Sequence, residues 1–251
     1  MQIMRTRFKK DIVAEFLPST KPSSKVIIIC GGMPGAPKQE ALLSFITRYS
    51  KKDYWVFYPR YRGSWESGGQ FLHREPTDDI RDVINELPHG FTNLWNNKRY
   101  RVRPTEIILF ASSFGGPAGI LLSKDPRVTK VIAISPVVDW RDPSKDEPLA
   151  WLGKVVPKVY GNAYRYTMRD WNKLKTGRFY NPATRINDID GSKILMVHAK
   201  DDGSVGYPAV ARFAKKIGAT LITRQHGGHL GFSFVVHNKS LFKKISNFLR
   251  S

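Results

Sequence analysis

The sequence predicts an α/β protein with a doubly wound, mostly parallel sheet, and three observations support this fold class. Short runs rich in Ile and Val are separated by stretches with the apolar period of helices, an alternation typical of the class. Several runs are apolar throughout, as expected for strands buried on both faces of a sheet. The chain has 251 residues, and α/β chains of about 200–250 residues often form one domain.

The individual elements follow from these patterns. Seven strands are predicted, at 11–17, 25–30, 54–58, 106–111, 130–135, 193–198 and 220–224. Helices are predicted over 38–49, 78–87 and 239–250, because each places its large apolar side chains on one face. Thr77 precedes the second helix and is a candidate for its N-cap.

One segment interrupts the alternation of strands and helices. Residues 137–190 separate two strands and are rich in Trp and Tyr. The segment is too long for a simple crossover, and we interpret it as a small helical cap inserted into the chain. No internal repeat or flexible linker divides the sequence, so residues 1–251 are expected to form a single domain.

The chain is strongly basic, with 41 Lys and Arg against 21 Asp and Glu and a net charge of +20. Residues 203–251 contain no acidic side chain, and residues 151–180 carry seven basic residues and one acidic residue. Such a charge is typical of proteins that bind nucleic acids or anionic surfaces. No helix-turn-helix, zinc-finger or RNP pattern accompanies it, so nucleic acid is not expected as a partner, although the charge keeps that alternative open.

Several classes of protein are disfavoured by what the sequence lacks. No apolar run approaches 18 residues, so no membrane span is expected. The N-terminus has no apolar stretch of the kind found in secretory signals, and Cys30 is the one cysteine, so we expect a cytoplasmic protein without an intrachain disulfide. No metal-ligand spacing or nucleotide-binding glycine loop occurs, so no metal and no cofactor are predicted. The oligomeric state is not predicted.

A candidate nucleophile follows the strand at 106–111. The pattern Ala111-x-Ser113-x-Gly115 leads into an apolar helix and matches a G-x-S-x-G elbow with Ala at the first position. Small residues are needed there because the turn from strand to helix is sharp. The elbow places the serine and the N–H of Phe114 at a helix N-terminus, whose partial positive charge suits an oxyanion. A polar helix cap is the alternative reading of this short pattern.

Two further loops carry acid and base candidates. Asp201 and Asp202 follow the strand at 193–198, and His226 and His229 follow the strand at 220–224. The chain order Ser, Asp, His at the carboxyl ends of successive strands is that of the α/β-hydrolase catalytic triad. The sequence therefore indicates nucleophilic acyl transfer, with two candidates for the acid and two for the base.

The chain resembles the α/β hydrolases of the prolyl-oligopeptidase-like and dienelactone-hydrolase-like branches. Four blocks carry the resemblance: Gly31-Gly32-Met33-Pro34-Gly35, Tyr61-Arg62-Gly63-Ser64 with Glu66-Ser67-Gly68-Gly69, the Ser113 elbow, and the Asp202 and His229 loops. The sequence departs from the family pattern at Ala111, Ala199 and Gly31, and none of these departures removes a catalytic group. The family patterns favour Asp202 over Asp201 and His229 over His226.

The resemblance implies a serine hydrolase that acts on a small-molecule acyl substrate. Ser113 would be the nucleophile, His229 the base and Asp202 the acid, and the N–H groups of Phe114 and Met33 would form the oxyanion hole. The relatives include esterases, thioesterases, lactonases and small peptidases, and we favour ester hydrolysis, with thioesters and small amides also open. The candidate substrate-binding residues are Tyr61, Trp65, Trp140 and Trp151.

Three functional hypotheses remain at this point. The first is a serine hydrolase, an esterase or a small peptidase, whose basic surface has no role in activity. The second is a catalytically idle hydrolase fold that binds nucleic acid or an anionic surface. The third is a hydrolase whose positive charge steers anionic substrates towards its site.

Overall fold

The computed structural model of the chain describes residues 2–35 and 40–250. Its strands are β1 (Met4–Phe8), β2 (Ile12–Leu17), β3 (Lys25–Cys30), β4 (Tyr54–Pro59), β5 (Phe91–Thr92), β6 (Arg99–Tyr100), β7 (Glu106–Ser112), β8 (Val128–Ile134), β9 (Ile194–Ala199) and β10 (Thr220–Arg224). Its helices are α1 (Glu40–Ser50), α2 (Pro76–Glu86), α3 (Gly116–Leu121), α4 (Leu149–Tyr160), α5 (Met168–Asn172), α6 (Tyr207–Ile217), α7 (Phe232–His237) and α8 (Lys239–Phe248).

Eight strands form one sheet in the order β1-β2-β4-β3-β7-β8-β9-β10. β1 pairs antiparallel with β2, and β2 pairs antiparallel with β4, whereas every pairing from β4 to β10 is parallel. β5 and β6 form a separate two-stranded ribbon. The predicted fold class, a mostly parallel sheet of the α/β-hydrolase type, is confirmed.

The sheet is covered on both faces, which explains the apolar strands. Along β7, Ile107 and Leu109 belong to one core cluster, while Ile108 and Phe110 belong to the other. The first cluster includes buried side chains of α2, α3 and α6, and the second includes those of α1, α7 and α8. Successive residues of a central strand therefore need apolar side chains on both faces.

Each predicted strand and helix has a counterpart in the structure whose described ends lie within two residues of the predicted ones, whereas β1, β5, β6, α6 and α7 were not predicted. β1 was not predicted, because Arg5 and Arg7 interrupt its apolar side chains. Residues 38 and 39 of the first predicted helix lie outside the described residues. Thr77 is not the N-cap of α2: the helix begins at Pro76 with Glu75 as its N-cap, since proline suits the first helical position.

Residues 137–190 contain α4, α5 and several short 3₁₀ turns, and they contribute no strand to the sheet. Trp171 and Tyr180 of this segment are fully buried in the first core cluster. The segment therefore packs on the same face of the sheet as α2, α3 and α6. Within the described part of the chain, no helix is long and apolar enough to cross a membrane.

Candidate active site

Ser113 occupies the turn between β7 and α3. Its φ is +51°, a left-handed conformation that costs about 1–2 kcal/mol for a residue with a Cβ. The turn is also crowded, because a Cβ at Gly115 would lie 2.2 Å from the carbonyl oxygen of Cys30 and 2.5 Å from that of Gly31. The small residue predicted two positions after the serine is thus required by contact between the elbow and the end of β3.

Asp202 and His229 meet across the carboxyl ends of β9 and β10. The Nδ1 atom of His229 lies 2.9 Å from Oδ2 and 3.1 Å from Oδ1 of Asp202. The N–H groups of Ser204 and Val205 donate to Oδ1 of the same carboxylate, at 3.0 and 2.9 Å. The carboxylate is held from two sides, so it fixes the plane and position of the His229 ring.

The electrostatics of Asp202 favour its ionised form. Burial acts to raise the pKa of Asp202, but the hydrogen bonds from His229 and the Val205 N–H, with the charges of His229 and His198, bring that pKa below its ordinary value. An ionised carboxylate accepts a hydrogen bond from the Nδ1–H group, and in the neutral imidazole this tautomer leaves Nε2 without a proton.

Asp201 and His226, the alternative candidates for the acid and the base, lie outside this pair. The Asp201 side chain is 43% exposed and accepts hydrogen bonds from the N–H groups of Gly227 and Gly228. The His226 side chain is 92% exposed and approaches Asp201 at 3.6 Å. The structure therefore brings together Asp202 and His229, while Asp201 braces the loop on which His229 sits.

A second histidine faces the same carboxylate. His198 is fully buried; its Nε2 atom lies 2.9 Å from the carbonyl oxygen of Val205 and 3.5 Å from Oδ2 of Asp202. Burial lowers the pKa of His198, which favours its neutral form. The sequence patterns did not predict this contact.

Ser113 lies where two cavities meet. A cavity of about 490 Å³ lies on one side and has a mainly apolar lining from residues 137–152 and 204–209, together with Phe114. A cavity of about 190 Å³ lies on the other side and is lined by His229 and the Gly31–Gly35 loop. Ser113, Met33 and Glu147 line both. The predicted nucleophile, the predicted base and the predicted oxyanion loop thus all line the smaller cavity.

Of the four predicted substrate-binding residues, Trp140 lines the larger cavity. Trp151 is half exposed, and Tyr61 is buried with its ring 5.7 Å from that of Phe114. Trp65 packs against Tyr160 and Tyr164. Trp151, Tyr61 and Trp65 line neither cavity beside Ser113.

Sequence reasoning missed most of the cavity lining. The larger cavity is bounded by aliphatic residues that come from three separate places in the chain, among them Val137, Leu149, Leu152, Val205 and Ala209. These residues have no common spacing or motif. Among the described residues, no group of three His, Cys, Asp or Glu side chains could hold a metal ion.

Solved structures of three esterases have the same fold as this chain. The esterase Pf2001 of Pyrococcus furiosus superposes with a TM-score of 0.70 at 17% identity, over 99% of this chain and 90% of that chain. Est1E from Butyrivibrio proteoclasticus with bound ferulic acid superposes with a TM-score of 0.68 at 14% identity, over 99% of this chain and 100% of that chain. The esterase EaEST from Exiguobacterium antarcticum superposes with a TM-score of 0.63 at 16% identity, over 100% of each chain.

The sequence comparisons give the family. A search of curated protein sequences gives no match. The family model of the prolyl oligopeptidase family, peptidase S9, matches residues 42–250. That range includes the Ser113 elbow and the loops of Asp202 and His229, and it begins after the Gly31–Gly35 loop. The chain therefore belongs to the prolyl oligopeptidase family and has its α/β-hydrolase fold.

Proposed function

We propose that this protein is a serine hydrolase that cleaves carboxylic esters through Ser113, His229 and Asp202. One observation carries the proposal: the hydrogen bond from His229 to Asp202 orients an imidazole that shares a cavity with Ser113. A nucleophile, a base and an acid that orients the base are the three groups that acyl transfer requires.

The reaction follows from these positions. Oγ of Ser113 attacks the substrate carbonyl carbon, and Nε2 of His229 takes the hydroxyl proton. The N–H groups of Phe114 and Met33 donate to the oxyanion of the tetrahedral intermediate. When the C–O bond to the alcohol breaks, His229 returns the proton to the leaving oxygen, and the acyl group stays on Ser113. Water then attacks the acyl-enzyme by the same steps and releases the acid.

Asp202 has a separate role in this scheme. Its carboxylate accepts a hydrogen bond from the Nδ1–H group of His229 and so fixes the tautomer that can act as a base. Its negative charge stabilises the imidazolium that forms when His229 takes the serine proton. The low pKa of Asp202 keeps that charge present at the pH at which histidine acts as a base.

The two cavities support a division of the substrate around Ser113. The larger one has a mainly apolar lining that includes Trp140, and we assign the acyl group to it because apolar clefts bind such groups. The smaller one holds His229, which must reach the leaving oxygen. In this proposal residues 1–251 are one hydrolase domain, and residues 137–190 form the cap over its acyl cavity.

The similarity to solved esterases supports an ester substrate, whereas the family is named after peptidases. We favour esters, because the cavities beside Ser113, with volumes of about 490 and 190 Å³, suit a small acyl substrate. Hydrolysis of a p-nitrophenyl ester should therefore exceed that of the p-nitroanilide with the same acyl group by a large factor in kcat/KM. A preference for the anilide would identify a small peptidase.

A fluorophosphonate probe tests the proposed nucleophile. The wild-type protein should be labelled, and Ser113→Ala should abolish both labelling and ester hydrolysis. Ser112→Ala is a matched control, because it removes the neighbouring hydroxyl and should leave labelling in place. Labelling that persists in Ser113→Ala, or its absence from the wild type between pH 6 and 9, contradicts the proposal.

A further inference from the structure

The loop that carries Met33 is held at both ends by tyrosine hydroxyls. Tyr61 donates to the carbonyl oxygen of Gly31 at 3.2 Å. The N–H of Gly35 donates to the hydroxyl oxygen of Tyr164 at 2.9 Å. Met33 lies midway between these two bonds, so the position of its backbone N–H depends on both tyrosines.

The elbow has a corresponding bond. The hydroxyl of Tyr180 donates to the carbonyl oxygen of Phe114 at 2.8 Å, and the two rings lie 5.3 Å apart. The proposed oxyanion donor of the elbow is the N–H of the same residue, Phe114. Tyr180 therefore restrains the second proposed donor through the residue that carries it.

Two of these tyrosines come from the segment 137–190. Tyr180 is fully buried and Tyr164 is 5% exposed. Burial raises the pKa of both hydroxyls, so they remain protonated. Loss of either hydroxyl would leave its backbone partner, the N–H of Gly35 or the carbonyl of Phe114, without that hydrogen bond. An unpaired polar group inside a protein is energetically costly, so we expect the loop that carries it to shift.

We propose that Tyr164 and Tyr180 are positioning residues that hold the two oxyanion donors in the geometry the reaction needs. This inference rests on the proposed serine hydrolase function. An oxyanion hole works because its donors are already fixed where charge develops, and small displacements weaken it. The segment 137–190 is thus a part of the catalytic framework in addition to a cover for the acyl cavity.

The test compares Tyr164→Phe and Tyr180→Phe with Tyr166→Phe. Tyr166 is the matched control, because its hydroxyl donates to the carbonyl oxygen of Gly153, inside the same segment and away from the oxyanion loops. Each positioning variant should lower kcat for a p-nitrophenyl ester about tenfold, less than the roughly 100-fold or more expected when an oxyanion donor is removed outright. KM should change less than about twofold, and the control should match the wild type.

A second readout separates positioning from general damage. A boronic acid forms a tetrahedral adduct with a catalytic serine and places an oxygen in the oxyanion hole. Its inhibition constant should rise in each positioning variant by the same factor by which kcat falls. Thermal unfolding of all three variants shows which are folded, and either positioning variant alone decides the question if the other does not fold.

The outcomes distinguish this inference from the function on which it rests. If fluorophosphonate does not label the wild type, the hydrolase proposal fails, and the inference fails with it. If the wild type is labelled but the folded variants keep wild-type kcat and boronic acid affinity, only the inference is overturned. A rise in KM at constant kcat, or an equal loss in Tyr166→Phe, overturns it as well.

Discussion

Nδ1 of His229 lies 2.9 Å from Oδ2 of Asp202, although 27 residues separate them in the chain. Replacing Asp202 with Asn should lower kcat by about 10⁴-fold, because an amide can hold the ring in the wrong tautomer. Steady-state kinetics on a p-nitrophenyl ester measure the change. Asp201→Asn is the matched control and should cost less than about tenfold, since Asp201 contacts only the loop of His229. Similar losses in both variants would contradict the assignment of the acid.

Asp202 should also make stability depend on pH. Its native pKa lies below the ordinary value, which is about 3.9 in an unfolded chain. The ionised carboxylate therefore stabilises the native state above about pH 4, and this contribution is lost as the pH falls through the native pKa. The difference in the free energy of unfolding between wild type and Asp202→Asn should be largest where the carboxylate is ionised, and it should shrink as the pH falls below about 4. Urea unfolding across this range measures it, and a difference that grows on acidification contradicts the prediction.

Gly115 should not tolerate a side chain. In Gly115→Ala the new Cβ would lie 2.2 Å from the carbonyl oxygen of Cys30, and backbone cannot move aside cheaply. We expect a loss of about 3 kcal/mol or more in the free energy of unfolding, at or above the usual cost of overpacking. Gly231→Ala is the control, because nothing lies within 4 Å of its Cβ position and its φ is −131°. Equal stabilities for the two variants would contradict the contact.

Ala209 offers a way to narrow the proposed acyl cavity. Ala209→Phe would fill part of the space of about 490 Å³ beside Ser113 and should lower kcat/KM for a p-nitrophenyl octanoate at least tenfold, while the acetate ester changes little. Ala211→Phe makes the same substitution on the same helix at a position outside the cavity lining, and it should leave the ratio of the two esters unchanged. If Ala209→Phe affects both esters equally, the acyl group lies elsewhere.

The charge of +20 should act on substrate capture only at low salt. The charged residues that line the larger cavity are three carboxylates and two cations: Asp139, Asp142, Glu147, Arg141 and Lys175. The lining itself is thus not basic, and attraction must come from distant charges, which are screened over about 10 Å at 0.1 M salt. The kcat/KM of an anionic ester should fall several-fold between about 0.01 and 0.5 M salt, while that of a neutral ester stays constant. A flat response for both esters removes steering as a role for the charge.

The predictable parts of the fold are those set by local pattern. The strand Lys25–Cys30 is apolar and buried from Val26 onwards because both faces of the sheet are covered, and that burial is visible in the sequence. β1 was missed because it is an antiparallel edge strand whose arginines need not be buried. The start of α2 was misplaced because Pro76 determines it more strongly than the hydroxyl of Thr77 does.

The candidate site likewise has a part that local sequence pattern predicts and a part that it does not. Ser113, Asp202 and His229 could be predicted because each follows a strand, and the carboxyl ends of parallel strands meet at one edge of the sheet. The cavity lining could not, since residues such as Leu152 and Ala209 become neighbours only when α4 and α6 pack beside the elbow. The roles proposed for Tyr164 and Tyr180 likewise depend on contacts over 66 residues or more.

The position of Ser113 between two cavities has a consequence for the order of events. In the proposed reaction the alcohol departs from the side of His229, while the acyl group is still bound on the other side. Water then enters the space that the alcohol has left, so the acid is the last product to be released. Any small alcohol that fits the same space can take the place of water, and the enzyme should then transfer the acyl group to that alcohol.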